Sequence, residues 1–202
     1  MTRKRARERR RFVVKSRHTM AKSLDKRFPG SPRIDLTSRA PEPWVRFSPF
    51  YPHGGVPVPL SPGRTAQSVE GIWQGLKVFE TADVDLEKFE NTTMRRLKRT
   101  VRKFGRCLGH RAGVDGDQLL DYIPARHAIY LPAYRWVLEH KLQEEIAALR
   151  ELAARTDPEL PILLLDYETN TDVNNRAKPL SHAGLVMHYL LGRWPEPAAT
   201  EA

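Results

Sequence analysis

The chain is poor in sulfur. Its one cysteine, Cys107, excludes an internal disulfide and a thiolate-rich zinc site, so a reducing cytoplasmic compartment is expected. No apolar run approaches the roughly 18 residues needed to cross a bilayer, and no membrane partner is expected. An apolar signal core is also missing, which argues against secretion. The seven histidines show no i, i+4 pairing with a nearby acid, so neither a metal nor a cofactor is expected. Acidic residues are scarce at the start: residues 1–27 hold 12 Lys/Arg against only Glu8 and Asp25, a net of +10. The whole chain also carries +10, so the remainder is balanced and the excess lies in this one segment. Such a block reads as a disordered basic tail that attracts nucleic acid or serves solubility.

What is present describes a globular protein. The 202 residues, 40% of them apolar, suffice for one domain with a core. Nine of the 16 prolines fall in residues 28–64, too dense for a helix, so 28–43 reads as a linker. Val45–Phe47 reads as a short strand and His53-Gly-Gly55 as a turn. Helices are expected over 65–79, 83–90, 94–104, 132–155 and 183–191, and a buried strand over 162–165. Gly105 and Gly192 read as helix stops, and 110–128 as loop. The polar stretch Asp166–Asn175 leaves the end of that strand, a common place for ligand groups. Cys107 reads as buried and inert. The class is α+β, a helix-dominated single domain with a few short strands. It spans 44–195, and 196–202 is a disordered terminus.

One stretch carries chemistry. In 65–79, Val69, Ile72, Trp73, Leu76 and Phe79 recur at helical steps, and Glu70, Gln74 and Lys77 at i, i+4 and i+7 form an adjoining row. Over about 10 Å this aligns a carboxylate, an amide and an amine, or merely makes a solvated face. The 94–104 helix is rich in cations, which suits either solvent or phosphate.

Phe47-Ser-Pro-Phe-Tyr-Pro52, followed by Val69-Glu-x-x-x-Gln-x-x-Lys, resembles the NADAR (YbiA-like) superfamily, whose members read "FSNFYP", a "VEHYFQAQKF" helix and a basic helix ending in "GR". Gly105-Arg106 takes the last position, and the similarity extends over roughly 44–194. Departures mark a divergent member: Pro49 replaces Asn, Gly71 replaces His, and the "WG.G" segment is absent. The resemblance implies a NADAR-like fold and hydrolysis of an N-glycosidic bond to ribose. The substrate would be ADP-ribosylated guanine in nucleic acid or, alternatively, a small ribosylamino intermediate of the riboflavin pathway. It implies Glu70 as general acid/base and Lys77 as nucleophile, with a loop carboxylate, Asp172 in preference to Asp166 or Glu168. Phe47, Ser48, Tyr51, Trp73, Gln74, Arg106 and Asn170 would bind substrate. Phe47, Tyr51 and Trp73 would stack on a base, although Trp73 also suits a core. Two other readings are open: a non-catalytic nucleic-acid-binding protein, and a degenerate member that holds ADP-ribose without turnover.

Overall fold

The computed structural model describes residues 11–196. Its elements in chain order are β1 (Phe12–Ser16), α1 (Ala21–Arg27), β2 (Arg33–Asp35), β3 (Val56–Pro57), β4 (Thr65–Ala66), α2 (Val69–Gly75), β5 (Lys77–Phe79) and α3 (Val101–Phe104). There follow β6 (Cys107–Arg111), β7 (Leu119–Leu120), α4 (Tyr122–Ala125), α5 (Leu131–His140), α6 (Gln143–Arg155), β8 (Ile162–Asp166) and α7 (His182–Leu190). The class is α+β, as expected. Among the described residues no helix is long and apolar enough to cross a membrane. The chain sorts into two compact units, one built from residues up to 48, 142–172 and 177–196, the other from 49–141 and 173–176.

The first unit centres on a parallel sheet in the order β1-β8-β2. Strand β8 is flanked on both sides, so Ile162-Leu-Leu164 is fully buried and reads as a continuous apolar run rather than an alternating one. Phe12 pairs with Ile162 and Ser16 with Asp166 on one edge, and Arg33 with Leu163 and Asp35 with Leu165 on the other. This corrects the expectation of a disordered tail through residue 27. Phe12-Val-Val14 is a strand-forming run between cations, and the cations beside it have partners. The Arg17 guanidinium meets Asp35 at 2.8 Å, and the Lys15 ammonium lies 4.9 Å from the Phe28 ring centre. Arg11 donates to the carbonyls of Ala153, Thr156, Asp157 and Leu160, neutralising the carbonyl end of α6. Residues 1–10 and 197–202, also expected to be disordered, lie outside the described residues. The linker expected over 28–43 likewise contributes β2 and the buried Leu36 and Thr37.

Two further corrections concern this unit. Val45–Phe47 is not a strand but part of a 3-10 turn, Trp44–Phe47. The helix expected over 132–155 is two, α5 and α6, broken at Lys141-Leu142, where the chain passes from the second unit to the first. Leu138 and Leu142, one stripe of an unbroken helix, instead anchor different cores.

The second unit holds an antiparallel meander, β5-β6-β7, and the small β3-β4 pair. Helix α2 begins at Ser68, whose hydroxyl accepts from the Gly71 N–H at 3.0 Å, rather than at Thr65. It ends at Gly75, and the residues expected to finish it, Lys77–Phe79, form β5 instead. The helix expected over 83–90 reduces to a 3-10 turn at Leu86–Lys88, and that over 94–104 to α3 alone, stopped by Gly105 at φ +79°. Residues 110–128 are mostly regular: β6, β7, α4, and a π-helical turn over Arg126–Tyr130 that runs into α5.

Candidate functional site

Helix α2 is buried on every face, including its polar row: Glu70 is 8% exposed and Gln74 4%. Gly71 and Gly75 allow this, because a Cβ at Gly71 would fall 2.5 Å from the Lys88 carbonyl oxygen and one at Gly75 2.3 Å from the Phe89 ring. Gly71 is therefore a close-packing residue here. The Glu70 N–H donates to the Pro49 carbonyl at 2.8 Å, fixing the start of the helix.

Within this envelope the row is joined by hydrogen bonds. Gln74 Nε2 donates to Glu70 Oε1 at 2.8 Å, and Lys77 Nζ donates to Gln74 Oε1 at 3.2 Å. The same Gln74 oxygen accepts from the Arg99 N–H at 3.0 Å. Lys77 reaches the row from a strand, not from the next helical turn. Burial holds its ammonium below the usual lysine range, against the opposing pull of Glu70 and with reinforcement from Lys98 and Arg99.

Two residues that sequence reasoning did not single out complete the cluster. Arg99 is buried and donates to the carbonyls of Gln74 (3.3 Å), Lys77 (2.5 Å) and Asp83 (2.6 Å), clamping the α2–β5 corner. His110 is paired with Lys77 across β5 and β6, which places both side chains on one face of the ladder. Its ring lies 3.8 Å from the Trp73 ring, centre to centre, and is 2% exposed. Neither ring nitrogen has a hydrogen-bond partner among the described residues. Burial, and secondarily the Lys77 charge, push its pKa down to about 3, so the imidazole is neutral across the physiological range.

The other candidates divide. Trp73 is 8% exposed and sits against His110, Tyr122 and Tyr130, mostly inside the core. Tyr51 is half-buried, its ring 4.9 Å from that of His53. Arg106 is exposed and ion-paired with Glu80 at 3.4 Å. Cys107, expected to be buried, is exposed at the start of β6.

Phe47, Ser48, Asn170 and Asp172 belong to the first unit. Phe47 is fully buried there and offers no face for a base to stack on, a correction to the expected role; Ser48 is 2% exposed. Asn170 braces its own loop, donating to the Asp172 and Lys178 carbonyls at 3.2 Å and accepting from the Asp172 N–H at 3.1 Å. Asp172 is exposed. Asp166 is buried, and its carboxylate accepts from Ser181 Oγ (2.7 Å), the Ala183 N–H (3.2 Å) and the Tyr167 N–H (2.7 Å). It also lies 3.1 Å from His182 Nδ1, which fixes the entry to α7. Among the described residues, no group of three or more His, Cys, Asp or Glu is placed to hold a metal ion.

A buried carboxylate and amide with a half-buried amine, beside a neutral imidazole, are groups suited to proton transfer and nucleophilic attack. Residues 16–186 match the model of a family of unknown function (DUF6939), and the chain belongs to that family. No curated protein matches the chain, and no solved structure does.

Proposed function

We propose that the protein is an N-glycosidase that hydrolyses the bond between a ribose C1 and a base nitrogen, with ADP-ribosylated guanine in nucleic acid as the preferred substrate. The resemblance to the NADAR superfamily supplies the reaction, and one observation supports it most: a desolvated Lys77 amine joined through Gln74 to the Glu70 carboxyl. Depressed amine basicity favours the neutral nucleophile.

In this reading the Lys77 amine attacks C1 as the C1–N bond breaks, and Glu70 delivers a proton to the departing nitrogen. The sugar–lysine adduct opens to an imine. Water then adds to C1, the C1–Nζ bond breaks, and the proton balance is restored through Glu70. Gln74 keeps the two groups in register, and His110 presents an imidazole that can accept from, or donate to, a sugar hydroxyl. Incubation with guanine-ADP-ribosylated DNA and, separately, with a ribosylaminopyrimidine tests the reaction. Release of free ADP-ribose or ribose, absent in Lys77→Ala, is the expected result. Borohydride should trap sugar on Lys77 during turnover. Absence of release from both substrates would dispose of the proposal.

A further inference from the structure

Residues 94–106 carry seven cations, Arg95, Arg96, Lys98, Arg99, Arg102, Lys103 and Arg106, and no acid. Arg99 and Arg106 have carboxylates nearby, Asp85 at 3.8 Å and Glu80 at 3.4 Å; among the described residues the other five have no ion-pair partner. All five are exposed. In an ordinary solvated face, opposite charges intersperse; here one sign runs unbroken.

The backbone presents these charges from a fixed frame. Leu97, 1% exposed, and Arg99, 5% exposed, point inward from an extended stretch, so Arg96, Lys98 and Thr100 point outward. Arg96 takes φ of +57°, a left-handed conformation costly for a side-chain-bearing residue, as does Met94. Asn91 holds the turn, donating to the Arg95 carbonyl at 2.9 Å and accepting from the Thr93 N–H at 2.9 Å. The strip is also fastened to the candidate site: the Arg99 N–H bonds the Gln74 side chain, and the charge of Lys98 is felt at Lys77. Val101, 64% exposed, and Leu108, 41% exposed, place apolar surface among the cations.

We infer that Arg95, Arg96, Lys98, Arg102 and Lys103 form a docking strip for a nucleic-acid backbone beside the Glu70–Gln74–Lys77 row. The inference rests on the N-glycosidase reading for its purpose, since it names the polymer that would deliver the base. Five exposed cations can engage several phosphates at once, whereas a mononucleotide would engage only one or two. A single strand suits the strip better than a duplex, because a base reacted at its glycosidic nitrogen must leave the stack. The strip also takes over a role that composition alone gave to residues 1–27, whose described part is folded into a sheet and a helix.

The test is binding of an unmodified, fluorescein-labelled single-stranded oligonucleotide to the full chain, by anisotropy across a salt series. Three proteins are compared first, and a double variant follows. The three are the unsubstituted chain, the chain with all five strip cations changed to Gln, and the chain with Arg3, Lys4, Arg5, Arg7, Arg9 and Arg10 changed to Gln. Losing five phosphate contacts should flatten the log–log salt slope by about 3.5, at about 0.7 per contact on single strands, and weaken binding at least ~10-fold at low salt. Arg102→Gln with Lys103→Gln alone should remove roughly two-fifths of that slope, which covers failure of the larger variant to fold. Loss confined to the N-terminal variant, or no binding by any protein, overturns the strip. So does strip-dependent binding to phosphatidylserine vesicles without strip-dependent binding to the oligonucleotide. Because the probe carries no ADP-ribose, the strip can stand while hydrolysis fails, and hydrolysis can stand while the strip fails.

Discussion

Among the described residues, the polar clusters around Asp166 and around Gln74 are satisfied to different degrees. In the first unit Asp166 receives two backbone N–H groups and the Ser181 hydroxyl and lies against His182, whose other nitrogen is 2.7 Å from the Leu36 carbonyl. Those from Ser181, Ala183 and His182 tie a strand end to the start of α7. In the second unit Glu70, Gln74 and Lys77 are joined along one row, the amine is desolvated, and neither nitrogen of His110 has a hydrogen-bond partner among the described residues. A fully bonded buried cluster stabilises a fold. One that leaves polar groups unmatched costs stability, and functional sites are where such a cost is found. The contrast is between a cluster in which the carboxylate meets several donors and one in which an imidazole is left without a partner among the described residues.

Asp166→Ala should break the first cluster most severely. It would leave a buried hydroxyl, two N–H groups and an imidazole without their acceptor, a loss of about 3–5 kcal/mol. Urea unfolding checks this; a loss under about 1 kcal/mol would mean the cluster is not structural. Lys77→Met should do the reverse. Stability should hold within about 1 kcal/mol, because a desolvated ammonium is being replaced by an apolar chain of similar length. Turnover on an ADP-ribosylated base should drop at least ~10²-fold, and Glu70→Gln should match it. Near-normal turnover in both variants would remove the proposed roles.

His110→Phe sharpens the comparison through pH. The folded-state pKa, about 3, lies below the ordinary value of 6.5. Between the two the unfolded chain binds the extra proton. This group therefore weakens the fold as pH falls from 6.5 toward 3 and is neutral in effect above 6.5. The Phe variant should lose that contribution, so its melting temperature should fall less steeply than the wild type's over this interval. Parallel curves would mean that the imidazole is hydrated or bonded in solution. Gly71→Ala should cost about 1–3 kcal/mol of stability, as the Lys88 carbonyl is forced away from the new methyl group. A stabilising outcome would show that the α2 contact is loose.

The parts of this picture that the sequence announced are those governed by one local period. Glu70 and Gln74 share a helical face because four residues make about one turn, and β8 declares itself by four consecutive apolar residues. Lys77 came to the same row by a different route. Helix α2 stops at Gly75, and the β-branched Val78 and aromatic Phe79 prefer the pleated surface that β6 offers. The basic stretch misled because its cations suit a helix, whereas Leu97 and Arg99 are buried in alternation with exposed neighbours, a period of two that only the folded chain displays. Arg99 could not be told from its exposed neighbours without knowing which carbonyls it would meet. His110 was invisible for a similar reason, since its pairing with Lys77 depends on the register of strands more than 30 residues apart. Strand β1 was hidden by composition, three apolar residues inside a run of positive charge.

The order of the first unit's sheet has a consequence for how the molecule is made. Its central strand is β8, and both neighbours, β1 and β2, come from the first 35 residues. Roughly 150 positions separate Phe12 from its partner Ile162. On the ribosome, β1 and β2 emerge long before the strand that pairs with both, and neither can pair with the other across the gap it leaves. Their edges wait unpaired while residues 36–161 are synthesised, a contact order that slows closure and lengthens exposure to aggregation. The positive charges crowded around Phe12-Val-Val14 keep such waiting strands apart, so a segment that looks like bait for a polyanion also acts as a guard for a strand in transit.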